Sequence, residues 1–599
     1  MPNGVGRLRY LDDTAPKPKV SKGFVLRILK YFVPHWKMLL VAMLALLVSS
    51  VLGLVPSIII KNIMDKALPN KDMKYLAILV LISIGATIIQ QLIQVGQTYL
   101  NTLISKKIIL KMKNEMYYHL QHMSLRFFTT AKPGEIITRM NSDIDGVQDV
   151  FNSTVVSVLS NFFIIVSSGV TVFIMNWKLA ILGLFIIPLF IVPTRKVGKI
   201  RWRIATKSQE KMSEMNQLIQ ETLSISGSIL TKIFTKEKNE YKKFEDINTD
   251  VIKLQIKESL AGRWFNMTIT VLSSIEPMAI YFYGGYLYTR GEISIGDIIA
   301  FVALLTRLYG PVAKLSDVHI NITRSFALFE RIFNYFDLEH EIVNKADADV
   351  LSSLTGRIEF CHVYFSYNKK ADILKDINFS IEPGTMVALV GSSGSGKTTI
   401  TNLIPRLYDV TQGCVRIDGE DVRDLTVESL RNNIGIVMQE PYLFNNTIEE
   451  NLRYARENAT EEEIINACKA AYIHDFIMTL PDKYKTIVGN RGIKLSGGEK
   501  QRISIARVIL KDPGIIILDE ATSSLDSVSE KYIQKAMVPL LNRKTSLVIA
   551  HRLSTILAAD QIIVVEKGII AEMGKHDELL NMNGLYKKLY DTQFKTQIA

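Results

Sequence analysis

The sequence predicts a chain in two parts, an α-helical membrane domain of six spanning helices with long cytoplasmic extensions, followed by an α/β domain with a phosphate-binding loop. Three observations carry this. Six apolar stretches of membrane-spanning character fall within the first 306 of 599 residues. Hydrophobic residues make up 48% and charged residues 22%, with a mean hydropathy of +0.16. That balance is too apolar for an ordinary soluble chain and too charged for one wholly inside a bilayer. The stretch GSSGSGKTT, 391–399, lies between a strand-like run and a helix-like one.

The spans follow in order. Residues 38–60 and 75–105 contain no Lys, Arg, Asp or Glu, and each exceeds the roughly 20 residues a helix needs to cross a bilayer. Residues 151–177 form a third uncharged run, 179–194 a shorter fourth, and 264–289 and 293–306 a fifth and sixth with one acid each. Before the first span, GFVLRILKYFVPHWK (23–37) places Phe24, Ile28, Tyr31 and Phe32 at helical spacing among basic residues, the pattern of a helix lying in the cytoplasmic interface. Nothing there reads as a cleavable signal peptide.

An even number of spans puts both ends of this domain on one side. Lys and Arg number eight in 1–37, seven in 105–150 and 15 in 195–263, against six in the opposite loops 61–74, 178 and 290–292. The positive-inside rule makes both ends cytoplasmic, although loop 61–74 alone holds four Lys. Segments 106–150 and 195–263 read as helical extensions into the cytosol, reversing at AKPGE (131–135) and SISGS (224–228). Glu276, followed by Pro277, lies at bilayer depth inside the fifth span; an ionisable group there points to a substrate or proton pathway, or else to pairing with another helix.

From Arg357 onward short β-branched runs alternate with turns. MVALV (386–390) leads into GSSGSGKTT, the strand–loop–helix context of the phosphate-binding pattern G-x-x-x-x-G-K-[ST]. Gly391, Ser392, Ser393, Gly394, Ser395 and Gly396 let backbone N–H groups turn toward phosphate oxygens, Lys397 reaches the outer phosphates, Thr398 offers a hydroxyl to Mg²⁺, and Thr399 follows in the helix. GIIILDEATSSLD (514–526) supplies a second buried strand ending at Asp519, a candidate Mg²⁺ holder. Glu520 comes next, placed to orient or deprotonate water for phosphoryl transfer. KLSGGEKQR, from Lys494, brings the Ser496 hydroxyl and the bare backbone of Gly497 and Gly498 to a helix start.

This ordered set resembles the nucleotide-binding domain of ATP-binding cassette (ABC) transporters, with LSGG before KQR as the most specific element. The resemblance implies an α/β P-loop ATPase domain using ATP and Mg²⁺. It carries over Tyr367 as the aromatic that stacks on adenine, Gln439 as a contact to Mg²⁺ and water, Asp526 as the D-loop acid, and His551 as the histidine reaching the γ-phosphate. FFTTAKPGEIITRMNSDID and ETLSISGSILTKIFTKEKNEYKKF resemble the intracellular loops of six-helix exporters, so the likeness covers nearly the whole chain. Two positions depart from the family pattern: Glu499 stands where glutamine is usual, and Asn490 where glutamate is frequent.

The expected organisation is a cytoplasmic N-terminus with an interfacial helix (1–37), a membrane domain (38–324), a linker (325–356), a nucleotide-binding domain (357–593) and a short tail (594–599). The resemblance implies a half-transporter in a bacterial cytoplasmic membrane, exporting an amphipathic or hydrophobic drug-like or lipid-like compound by alternating access. It would act as a homodimer, or paired with a second half-transporter, because the signature of one cassette closes over ATP held by another. A peptide or siderophore transporter and an ATP-gated channel or regulatory subunit are the alternatives. The net charge of +12 could suggest nucleic acid, but the basic residues form no aromatic-interleaved strip, and a membrane surface is the expected partner instead. Cys361, Cys414 and Cys468 have unrelated spacings, with neither a metal-ligand pattern nor a disulfide framework, and read as reduced structural thiols.

Overall fold

The computed structural model describes residues 22–131, 133–352, 354–368, 371–519, 527–550 and 552–594. It divides into two compact units, Met1–His119 with Gly134–Leu338, and Leu120–Pro133 with Glu339–Ala599.

The first unit is helical. A short helix α1 (Lys22–Phe32) and one 3₁₀ turn at Pro34 precede α2 (Trp36–Leu52) and α3 (Val55–Asn62). Next come α4 (Met73–Gln121), and, past a short helix α5 (Leu125–Thr130) that belongs to the second unit, α6 (Pro133–Thr138), α7 (Ile144–Val150) and α8 (Ser157–Met175). The long rods α9 (Trp177–Thr222) and α11 (Glu237–Thr289) are joined through α10 (Ile225–Ile233), and α12 (Ile295–Phe336) closes the unit. α12 therefore runs on through the first part of the segment expected as linker. Between α6 and α8 the backbone widens to π-helical turns at Arg139–Asp143 and Phe151–Val156, a distortion that often accompanies functional positions.

Among the described residues four helices are long and apolar enough to cross a membrane: Gly23–Ala67, Met73–Gln121, Pro133–Met175 and Ile295–Val312. The last extends beyond the expected sixth span and takes in Arg307. The expected spans 179–194 and 264–289 lie on the helical backbones of α9 and α11, but the side chains of 184–199, of 201 and 202, and several between 265 and 276, Glu276 among them, lie outside the described residues. Large apolar side chains point away from the unit, as Leu81, Leu92 and Val95 do on α4, each about two-thirds exposed, which suits a lipid surface. Inside, Leu54, Val172, Leu179, Ile280, Phe301 and Leu305 form one buried cluster.

Polar ties hold the helix ends. Lys61 pairs with Asp297 at 2.6 Å and Lys178 with Glu292 at 2.6 Å, while Asp65 accepts from the Ser294 hydroxyl and the Gly296 N–H. One of the four lysines that blur the charge asymmetry of loop 61–74 is thus neutralised locally. Asp143, 7% exposed, accepts from Arg139 and pairs with Arg331 of α12. The aromatic stripe of α1 packs on α12: Phe24 meets Phe326 and Phe333 edge-on, Tyr31 stacks on Phe333, and Arg27 lies over Phe333 while pairing with Asp337. Leu26 and Leu29 of α1 and Val33 of the 3₁₀ turn are exposed apolar residues of this segment.

The second unit contains two sheets. An antiparallel sheet runs β2 (Leu374–Ile381), β1 (Ile358–Phe365), β4 (Gln412–Ile417), β5 (Glu420–Asp421). A second sheet runs β10 (Ile569–Gly574), β9 (Gln561–Glu566), β3 (Met386–Val390), β8 (Thr545–Ile549), β7 (Ile515–Asp519), β6 (Ile434–Val437), and it is parallel from β9 to β6. Central strands such as β3 and β7 are buried on both faces, which is why they read as unbroken apolar runs. Asp418, after β4, accepts hydrogen bonds from the Thr355 hydroxyl and from the N–H groups of Thr355, Gly356 and Arg357, tying the chain ahead of β1 to the sheet.

Segment 120–133 is part of this second unit. α5 presses Leu125 onto the sheet core and buries Phe127, while Glu341 accepts from the Ser124 hydroxyl at 3.0 Å and from Arg126 at 3.1 Å. The reversal between α4 and α6 therefore begins at Ser124, before the expected AKPGE turn, whose Lys132 lies outside the described residues. Cys361 and Cys414, unrelated by spacing, stand directly opposite one another on β1 and β4. Cys468 is fully buried, and burial pushes its thiol up to about 12, as befits an inert structural cysteine.

Candidate nucleotide site

In a parallel α/β sheet, ligands bind in the crevice beyond the carboxyl ends of the strands. β3, β8, β7 and β6 are neighbours in that order and all point the same way. The loop 391–396 follows β3, Ala550 follows β8, Asp519 ends β7 and Gln439 comes two residues after β6. With about 4.8 Å between strands, the row from the β3 loop to Gln439 spans roughly 15 Å. Elements separated by more than a hundred residues in sequence thus deliver their polar ends to one edge.

The loop connects β3 to a short helix α13 (Lys397–Leu403). Ser392, Ser393, Gly394 and Thr398 are exposed, whereas Ser395, Lys397 and Thr399 are buried. The Lys397 ammonium donates to the carbonyls of Gly391 at 2.8 Å and Ser392 at 2.9 Å, which holds a cation inside the curve of the loop. The Ser395 hydroxyl is buried with no hydrogen-bond partner among the described residues. A fixed cation and an unsatisfied hydroxyl in one glycine-rich loop make an anion cradle.

Tyr367, just past β1, shares a 3.1 Å hydrogen bond with Thr399 of α13 and meets Tyr408 edge-on. This sets an aromatic ring beside the phosphate loop, a placement suited to the base of a nucleotide. Asp519 is partly buried at its strand end and Gln439 is exposed. Thr398, Gln439 and Asp519 provide a hydroxyl, an amide and a carboxylate, hard oxygen donors of the kind Mg²⁺ takes.

Ser496 caps the helix Gly497–Lys511, with its hydroxyl accepting the Glu499 N–H and the Glu499 carboxylate accepting the Ser496 N–H at 2.7 Å. The departure at Glu499 thus has a structural account, since this position closes a capping box that either Glu or Gln can make. Gly498 is closely packed: a Cβ there would lie 2.7 Å from the Ser529 hydroxyl. Asn490 opens a 3₁₀ turn, and nothing in the structure explains why asparagine stands there. Glu520, Asp526 and His551 lie outside the described residues.

The charge count missed one feature of the first unit. Within α4, Gln90, Gln94, Gln97 and Asn101 recur every three or four residues and line a cavity with Arg307 of α12. Their spacing in an otherwise apolar run was the available signal.

A membrane-spanning helical domain and a P-loop nucleotide domain in one polypeptide define the class of nucleotide-driven membrane transporters. Residues 39–312 match the family described as the ABC transporter transmembrane region, and residues 374–523 the ABC transporter family. The chain is 38% identical over 569 residues to the ATP-dependent lipid A-core flippase of Syntrophus aciditrophicus, covering 95% of this chain and 94% of that protein. The ATP-dependent lipid A-core flippase of Desulfotalea psychrophila is 38% identical over 573 residues, 96% and 100% of the two chains. A Staphylococcus aureus protein provisionally named a multidrug export ATP-binding/permease protein is 39% identical over 508 residues, 84% and 87%. Among solved structures, a bacterial Atm1-family ABC exporter with ATP bound superposes with a TM-score of 0.78 at 28% identity, over 93% of this chain and 99% of that one. This chain belongs to the ABC transporter family. It is an integral membrane protein that binds ATP and couples its hydrolysis to transport.

Proposed function

We propose that this chain exports an amphipathic or hydrophobic compound, lipid-like or drug-like, from the cytoplasmic side of a bacterial cytoplasmic membrane. The observation that carries the reading is the fusion of the sheet-edge nucleotide site to spanning helices, with the first cytoplasmic tip built into the compact unit of the cassette. The names of the lipid flippases and the multidrug exporter support the substrate class.

In this reading both ends of the membrane domain and the whole cassette are cytoplasmic. Tyr367 receives the adenine, and the backbone of 391–396 with Lys397, Thr398 and Thr399 holds the phosphates. Thr398, Gln439 and Asp519 are the residues that would hold Mg²⁺, which when bound neutralises charge on the β- and γ-phosphates. Glu520 takes a proton from the attacking water as the bond from the γ-phosphorus to the bridging oxygen breaks, and His551 steadies the γ-phosphate. ADP and phosphate leave. Ser496, Gly497, Gly498 and Asp526 serve the ATP of a second cassette, so two copies of the chain complete two sites in a twofold dimer. Closure of the cassettes draws the helix tips together and reorients the membrane cavity, a switch between two packed arrangements.

The test is vanadate-sensitive ATPase activity of this chain, purified alone into lipid nanodiscs, with Glu520→Gln as the blank. Activity abolished by the substitution supports the homodimer and the role of Glu520. Hydrolysis surviving in Glu520→Gln removes that residue from its role, and a well-folded but silent chain transfers the site to a heterodimer.

A further inference from the structure

Resting on the exporter reading, we infer that the membrane domain contains a binding site for an oxyanion, a phosphate or carboxylate headgroup carried on a hydrogen-bonding scaffold. The site is an open-sided cavity of about 440 Å³ lined by α2, α4, α8 with the π-helical turn before it, and α12. Its walls are built from amides and hydroxyls: Gln94 and Asn101 on α4, Asn152 in the π-turn, Asn161 on α8. Arg307 and Lys314 of α12 are the charged residues among the described ones that line it, and no carboxylate is among them.

An arginine inside a spanning helix is costly and persists where it faces a polar cavity or a counter-charge. Among the described residues Arg307 has no acid within ion-pairing distance. Its one hydrogen bond is to the Ser50 carbonyl at 3.1 Å, and its guanidinium lies against Gly53, where a Cβ would sit 2.1 Å from it. That contact positions the guanidinium without neutralising it, and the planar fork has five donors to offer. Lys314 stands two turns further along α12 on the same cavity. Two cations with no acid among the described lining residues repel a cationic ligand and favour an anion, and the surrounding amides suit a headgroup rich in hydroxyls or esters. The volume is near the lower end of the roughly 300–1,000 Å³ of small-molecule sites, so it takes a headgroup while acyl chains remain in the apolar surroundings.

The experiment measures binding of short-chain phosphatidylglycerol, short-chain phosphatidylcholine and glycerol phosphate to the full-length protein in detergent without nucleotide, alongside its ATPase activity in nanodiscs. The expected result is phosphatidylglycerol bound about tenfold or more tightly than phosphatidylcholine, the size of one charge-assisted hydrogen bond. Arg307→Gln with Lys314→Gln should erase the preference, while Arg307→Lys keeps most of it and Lys257→Gln, on α11, keeps all of it. Equal affinity for the two lipids, or a preference that survives removal of both cations, overturns the site. Glycerol phosphate competing as well as the lipid upholds the oxyanion site and assigns it to a soluble anion; weak competition assigns it to a lipid headgroup. Loss of Glu520-dependent ATPase activity with the lipid preference intact would sink the exporter reading alone, and the reverse outcome would sink only this site.

Discussion

Two glycines of the phosphate loop separate a conformational requirement from a packing one. Gly394 has φ +78° with nothing within 4 Å of an added Cβ, whereas Gly396 has φ +111° and its Cβ would lie 2.7 Å from Leu374 Cδ2. Leu374 is fully buried in the cassette core and cannot simply swing away. Alanine at either position adopts a left-handed conformation costing about 1–3 kcal/mol. At Gly396 the collision adds about 1–3 kcal/mol of overpacking. Central values are about 2 kcal/mol for Gly394→Ala and about 4 kcal/mol for Gly396→Ala, or roughly 6 and 12 °C in melting temperature for a domain of this size. Leu374→Val removes the colliding carbon, so the double variant Gly396→Ala/Leu374→Val should be about 1–2 kcal/mol more stable than additivity allows. The assay is thermal unfolding of the full chain in nanodiscs, with and without ATP. Equal losses at the two glycines, or strict additivity with Leu374→Val, would refute the packing argument.

Other perturbations address the rest of the molecule. Glu341→Gln weakens the partly exposed contacts to Ser124 and Arg126, worth about 0.2–1 kcal/mol; stability should barely change while transport per ATP hydrolysed falls, and an unchanged ratio would show that this tip does not couple the units. For Asp418, burial opposes ionisation, but the hydrogen bonds from Thr355, Arg357 and Gly356 outweigh it and hold the carboxyl below the usual range. A depressed folded value contributes stability that is complete above the unfolded pKa of about 3.9 and is lost as the pH falls through the folded value. Asp418→Asn should therefore melt lower at pH 7 and converge with the parent at the acid end; parallel melting profiles would exclude this linkage. Glu276→Gln should alter transport or its pH dependence if Glu276 serves the substrate or proton path, and unaltered transport at every pH would leave it a structural role.

The parts legible in the sequence are those whose physics is local. The phosphate loop was readable because MVALV, GSSGSGKTT and the following helix are contiguous, and the spans because about 20 apolar residues in a row have few other uses. Features made by distant partners were hidden. Cys361 and Cys414 are 53 positions apart, yet the β1–β4 register sets them opposite one another. Lys61 is one of the four lysines that blur the charge count of loop 61–74, and its partner Asp297 lies more than two hundred residues away in sequence. The amide stripe of α4 escaped because Gln and Asn are uncharged and do not interrupt an apolar run in a count of ionisable residues. Glu499 stood out in the sequence only as a departure from the family pattern, and its capping geometry gives it a structural task at the helix start.

By itself the sequence determined that this chain spans a membrane and carries one ATP cassette, because both follow from short contiguous patterns: hydropathy over the length of a bilayer, and glycines and a lysine at fixed spacing after a strand. Only the tertiary structure decided that the ends of β3, β6 and β7 share one edge, that residues 120–133 belong to the compact unit of the cassette, and that Arg307 and the amides of α4 face one cavity. Those facts depend on strand order and on the rotation of each helix against its neighbours. Both are set by packing summed over many distant contacts, which no short segment records.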